Sequence, residues 1–209
     1  MKKKISILGS TGSVGLSTLK IIDKKKDYFK INILAAKENY SLICKQIKKY
    51  QPKIFIISNK KIFEKVKNNF KRNKILILNN FDQKKLKKFK KSDLTVSAIP
   101  GIAGLHPTIS LIRISKKILL ANKESIICGW NLIKKTASRY NSKVIPIDSE
   151  HYSIFELLKH HKLTDVKKIY ITASGGPFLN FKKKQFKNIN PKDALKHPKW
   201  KMGKKISVD

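Results

Sequence analysis

Asp148-Ser149-Glu150-His151 forms a short acidic island directly after the apolar run KVIPI, in a chain otherwise crowded with lysine. Two carboxylates two residues apart at the end of a strand can share one divalent cation through hard oxygen ligands. A second group of chemical interest opens the chain, Gly9-Ser10-Thr11-Gly12-Ser13-Val14-Gly15. Glycines there let the backbone turn sharply and approach a pyrophosphate, and a helix starting near Ser13 aims free N–H groups at it. A dinucleotide turn and a metal pair together point to a metal-assisted oxidoreductase. Each has a plainer reading. Asp148 or Ser149 could cap a helix with Glu150 facing its dipole, and the spacing GxxGxxG could be a tight βα turn that serves packing only.

Further polar groups follow other strands. Lys37-Glu38-Asn39 stands after the second strand, where such folds read the adenosine ribose. A basic residue there attracts a 2′-phosphate and an acid prefers a free hydroxyl, so Lys37 beside Glu38 is a mixed signal. Asn122-Lys123-Glu124 follows the sixth strand and reads either as a ligand contact or as a helix start. Ser174 precedes Gly175-Gly176 and could offer its hydroxyl and backbone N–H groups to an anion, or be an ordinary turn serine. His197-Pro198-Lys199-Trp200-Lys201-Met202-Gly203 sets a Trp and a Met among lysines, either as a lid over a ligand or as a Trp tucked into the core.

Apolar β-rich runs alternating with helical periodicity must position these groups. The predicted strands are 5–8, 30–36, 52–58, 74–78, 94–99, 116–121 and 143–147, with helices near 14–23, 41–50, 60–70, 82–90, 103–113 and 124–138. That alternation specifies an α/β fold, a Rossmann-type doubly wound parallel sheet over residues 1–147. Residues 148–209 begin a second, α+β domain, with a helix over 150–160, a strand KKIYITA and a long aperiodic stretch over 174–205.

The chain has 209 residues and a formal net charge of +35, which by itself suggests a polyanion partner. Only three of its 48 basic residues are Arg (Arg72, Arg113 and Arg139), and the lysines are scattered along the whole length. Arg carries most bidentate phosphate and base recognition, so this pattern favours a solvated basic surface over a specific nucleic-acid footprint. The two cysteines, Cys44 and Cys128, form no metal or disulfide pattern and read as small buried residues within helices. No run reaches the eighteen or so apolar residues that a membrane span needs, and the expected setting is cytoplasmic.

The segments ILGSTGSVG, SAIPGIAGL, LLANKES, IPIDSEHYSIFELL, ITASGGPF and HPKWKMGKKISVD together resemble the 1-deoxy-D-xylulose 5-phosphate reductoisomerase family. The resemblance implies a homodimeric NADPH-dependent enzyme that uses Mg²⁺, Mn²⁺ or Co²⁺. Such an enzyme rearranges and reduces a sugar phosphate to 2-C-methyl-D-erythritol 4-phosphate in non-mevalonate isoprenoid synthesis. It implies Asp148 and Glu150 as metal ligands, and Lys123, Ser149, Glu150, Ser174 and His197 as substrate contacts. Trp200 and Met202 would belong to a lid. Thr11, Gly12, Ser13, Val14, Asn39, Asn122, Glu124 and Gly203 would line the cofactor site, with Lys37 and Glu38 beside them. At Lys37-Glu38-Asn39 the family commonly has Gly or Asn, then a basic residue, then Asn.

The chain ends before a family stretch resembling SATMMNKGLE, which carries phosphate ligands and a third metal carboxylate. The expectation is a truncated gene product, half of a split gene or an incomplete sequence, with little turnover by these residues alone unless a complementary C-terminal chain completes them. A dinucleotide-binding fragment without catalysis and a basic polyanion-binding protein are the alternatives.

Overall fold

In the computed structural model, residues 1–172 and 175–198 are described. Met1–Lys159 make one compact unit and His160 onward a second. The first unit contains β1 (Lys3–Leu8), α1 (Ser13–Lys24), β2 (Phe29–Ala36), α2 (Tyr40–Tyr50), β3 (Ile54–Ile57), α3 (Lys60–Asn69) and β4 (Leu76–Leu78). It continues with α4 (Gln83–Leu86), β5 (Ser92–Ser97), α5 (Leu105–Ile112), β6 (Ser115–Leu120), α6 (Lys123–Arg139), β7 (Lys143–Pro146) and α7 (Ser149–Leu158). All pairings are parallel, in the order β4-β3-β2-β1-β5-β6-β7. The order reverses direction at β1, so the crevice between the carboxyl ends of β1 and β5 is where a doubly wound sheet takes its ligand.

The strands are apolar on both faces because helices cover both. Ile5, Ile7, Leu34, Phe55 and Ile57 pack with Leu19, Ile22, Ile43, Ile47, Phe63 and Val66 of α1, α2 and α3. Leu8, Ile33, Ala35, Ile54 and Ile56 pack on the other side with Leu86 and Leu111. Ile31 and Leu34 share a face although they are three apart, because the β1–β2 register shifts between Ile5 and Ser6. Asn32 is the extra residue of that bulge. Its buried amide donates to Ser92 Oγ (2.9 Å) and to Lys90 O (3.3 Å), so the irregularity leaves no orphaned group there.

Asp93, at the start of β5, accepts from Lys116 Nζ at 2.8 Å and from the Lys4 backbone N–H at 2.8 Å. Chiefly the Lys116 contact, then the Lys4 N–H, holds its carboxyl below the usual range. A depressed folded-state pKa means the pair contributes stability above the unfolded carboxylate value of about 3.9. That contribution is lost as pH falls through the folded value. Asp93→Asn is therefore expected to lower the melting temperature at pH 7 and to flatten the acid limb of a melting-temperature profile. Parallel profiles for the two proteins would contradict it.

Several expectations are corrected. The helix expected over 82–90 is helical only over Gln83–Leu86, where Lys84, Lys85, Lys87 and Lys88 crowd like charges within one turn. The strand expected from KKIYITA does not form over 167–172: Ile169, Tyr170 and Ile171 are exposed, with no ladder partner among the described residues. An unpaired strand has nothing to satisfy its backbone or bury its apolar side chains. The stretch expected to lack structure holds 3₁₀ turns over Lys183–Asn188 and a short helix, α8 (Pro191–Ala194), capped by Asn190. Phe178, Phe181 and Phe186 form an aromatic triangle there, with ring centroids 5.1 to 6.3 Å apart. The cysteines are not buried: Cys44 is half-exposed and Cys128 is exposed on the outer face of α6.

Candidate functional site

The register across the sheet sets one row of residues at the same level: Ala35, Leu8, Ser97, Leu120 and Pro146. The backbone stays in step just beyond it. Gly9 N donates to Ala35 O, Ala98 N to Leu8 O, Ala121 N to Ser97 O and Ile147 N to Leu120 O, at 2.9 to 3.0 Å. The glycine turn, Lys37, the Ile99–Gly101 loop, Asn122 and Asp148 therefore emerge along a single edge. At about 4.8 Å per strand, Asp148 and the glycine turn are about 14 Å apart along it.

Gly9 has φ +82°, and a Cβ there would press to 2.7 Å on Ala98 O. Gly15 is more constrained, since its Cβ would stand 2.2 Å from Gly9 O and 2.7 Å from Ser10 Cα. Gly12 is different: a Cβ would meet only Gly9 O, at 3.4 Å, an ordinary contact. The fold needs glycine at 9 and 15, and leaves Gly12 open to whatever approaches from outside. Gly12 is the N-cap residue of α1, has no side chain to cap with, and is exposed with Ser13. Thr11 and Val14 are half-buried. An uncapped helix start beneath an open glycine can receive an anion.

Asn39 caps α2 by accepting from Leu42 N at 3.1 Å. Lys37 Nζ lies 3.7 Å from Glu38 Oε2, with both side chains mostly exposed. Such a pair contributes about 1 kcal/mol or less and can be exchanged for another anion. Asn122 is buried: its amide donates to Gly101 O (2.9 Å) and to Ile99 O, and its Oδ1 accepts from Ser125 N (3.0 Å). It fastens the loop after β5 to the start of α6. Lys123, beside it, is exposed and Glu124 is half-buried.

At β7 the two readings of the acidic island separate. Asp148 holds the N-cap position of α7, yet its side chain caps nothing. Its Oδ2 instead accepts from His151 Nδ1 at 2.6 Å, and its Oδ1 is buried with no partner among the described residues. A buried carboxylate oxygen without a donor is costly unless a cation or donor reaches it. Asp148 therefore fits a hard divalent ion, with His151 fixing its orientation in the manner of outer-shell partners. Ser149 and Glu150 are exposed at the first turn of α7. Among the described residues no third His, Cys, Asp or Glu joins them in a metal-binding group. His151 also borders an apolar cleft of about 410 Å³ lined by Ile126, Trp130, Val144, Pro146, Ile154 and Phe155.

The sequence reading gave no role to His151, although its i, i+3 spacing from Asp148 was a visible signal. Of the remaining candidates, His197 belongs to the second unit and is buried. Ser174, Trp200, Met202 and Gly203 lie outside the described residues.

Comparison with known proteins agrees with this architecture. Residues 5–129 match the family model for 1-deoxy-D-xylulose 5-phosphate reductoisomerase, and residues 144–209 match the model of that enzyme's C-terminal domain. The chain is 49% identical over 209 residues to the reductoisomerase of Pelagibacter ubique (strain HTCC1062), covering 99% of this chain and 54% of that one. It is 43% identical to that of Clostridium novyi (strain NT), again covering 99% and 54%.

A solved reductoisomerase in complex with NADPH, fosmidomycin and magnesium superposes with a TM-score of 0.84 at 33% identity, covering 98% of this chain and 53% of that one. The Zymomonas mobilis enzyme in complex with NADPH gives 0.82 at 31%, covering 95% and 52%. The chain spans about half the length of the relatives it matches.

Proposed function

Because this chain belongs to the 1-deoxy-D-xylulose 5-phosphate reductoisomerase family, we propose that it supplies the NADPH site and part of the metal and substrate site of that reaction. The single observation that carries the reading is the shared sheet edge, which holds an open glycine turn and a carboxylate with an orphaned oxygen in one row. In the proposal residues 1–147 serve the cofactor and residues 148–209 begin the catalytic domain.

Thr11, Gly12, Ser13 and Val14 receive the pyrophosphate at the start of α1, with positive dipole and free N–H groups meeting negative charge. Lys37 leaves Glu38 for the 2′-phosphate, and Asn39 stands beside it. Asn122 keeps the loop after β5 at the depth where the cofactor passes, and Glu124 and Gly203 complete the lining. Asp148 and Glu150 hold a divalent ion (Mg²⁺, Mn²⁺ or Co²⁺), with His151 orienting Asp148. When bound, the ion serves as Lewis acid and template for the rearrangement of 1-deoxy-D-xylulose 5-phosphate, and NADPH supplies the hydride for the reduction. Lys123, Ser149, Ser174 and His197 bind the substrate's oxygens, and Trp200 and Met202 close over it to exclude water. The product is 2-C-methyl-D-erythritol 4-phosphate.

The protein works in the cytoplasm as a homodimer, and further polypeptide from the same chain or a complementary one completes the metal and phosphate ligands. The described residues include no helix long and apolar enough to cross a membrane.

NADPH oxidation with 1-deoxy-D-xylulose 5-phosphate and Mg²⁺ tests the proposal. Residues 1–209 alone are expected to give little turnover, and a protein extended to the length of its relatives is expected to turn over in a metal-dependent way. Absence of turnover by the extended protein contradicts the assignment, and full activity of residues 1–209 contradicts the need for completion.

A further inference from the structure

Ser10, inside the glycine turn, is fully buried and held from three directions. Its backbone N–H donates to Ala35 O at the end of β2 (2.9 Å), beside the bond from Gly9. Its hydroxyl donates to Gln46 Oε1 at 2.7 Å, and its carbonyl accepts from Gln46 Nε2 at 2.8 Å. Gln46, itself 4% exposed, is therefore bound through both ends of its amide by one residue in a reciprocal, two-bond clamp. A buried amide in the middle of an amphipathic helix would otherwise be an expense, since apolar neighbours would pack as well at that position. Its placement tells where the constraint is applied. Gln46 lies two turns along α2 from Asn39, whose side chain starts that helix. One end of α2 follows the Lys37–Asn39 segment, and its middle grips the turn that carries Thr11 and Gly12.

We infer that Gln46 is a positioning residue that locks the pyrophosphate turn to the adenosine end of the dinucleotide site, so that both are presented at a fixed separation. Resting on the dinucleotide reading above, this makes Gln46 act on ligands that span the two subsites and not on ligands that occupy one. A preset separation removes ordering cost from a spanning ligand alone.

The test compares NADPH, which spans both subsites, with adenosine 2′-phosphate, which occupies only the α2 end. Their binding to wild-type protein and to Gln46→Met, close in size but without hydrogen-bonding groups, is measured at 150 mM salt, with melting temperatures alongside. The Kd for NADPH is expected to rise about tenfold, the scale of one buried hydrogen bond, while that for adenosine 2′-phosphate stays within about twofold. Ser10→Ala, which removes the hydroxyl but leaves the backbone carbonyl to accept from Gln46, is expected to fall between. If Gln46→Met does not fold, Ser10→Ala carries the same comparison. A lower melting temperature with unchanged NADPH affinity, or equal weakening of both ligands, overturns the inference and leaves Gln46 a packing residue. Wild-type protein that binds neither ligand overturns the dinucleotide reading itself, and this inference with it.

Discussion

Gly15→Ala is expected to lower the melting temperature of the first unit markedly, and Gly12→Ala is expected to leave it as stable as the parent while weakening the dinucleotide. The contrast follows from what a single methyl would meet. At position 15 it would sit 2.2 Å from Gly9 O and within 3 Å of the Ser10 backbone. These are main-chain atoms, already fixed by bonds to Ala35 and Gln46, so they cannot yield as a flexible side chain would. Overpacking of this kind costs about 3 kcal/mol or more, which lowers the melting temperature of a domain this size by about 6 to 12 °C. At position 12 the methyl meets only Gly9 O at 3.4 Å and, in the proposed site, stands where the phosphates would approach. Thermal melts and NADPH titration separate the two outcomes. A Gly12→Ala protein that melts normally and binds NADPH normally would show that the turn serves packing only.

The second large effect is at Asp148. Asp148→Asn is expected to lower Mn²⁺ affinity, measured in the presence of NADPH, by about a hundredfold, or roughly 2.7 kcal/mol, without loss of thermal stability. The asparagine can still bond His151 and removes a buried carboxylate oxygen that has no donor among the described residues. Glu150→Gln, at an exposed position, is expected to weaken Mn²⁺ with no change in melting temperature at all. Unchanged Mn²⁺ affinity in Asp148→Asn would return Asp148 to a helix-start residue, although its side chain makes no cap.

The seven strands were legible because each is a short apolar run bounded by polar residues, and a doubly wound sheet needs no more than that order. The run KKIYIT has the same local pattern and is not a strand, because strand formation depends on a partner and the pattern contains none. The outer face of α6 shows the opposite limit. Ser125, Ile133, Thr136 and Ala137 point inward, which the helical period could have placed, yet the preference of cysteine for burial put Cys128 inside. Within the site, local motifs marked the glycine turn and the acidic island. Their geometry was not local: Gln46 is 36 residues from Ser10 and Asn122 is 23 from Ile99. Such bonds exist only once the sheet has brought the elements together, so no spacing rule announces them.

The most direct test of the account is a titration of the protein with NADPH and with NADH at 150 mM salt, where surface lysines are largely screened. Saturable binding of one NADPH per chain, tighter than NADH and insensitive to an excess of heparin, is the predicted result. No binding of either dinucleotide up to about 1 mM, the upper end of ordinary enzyme–ligand ranges, would contradict it, as would binding that heparin abolishes.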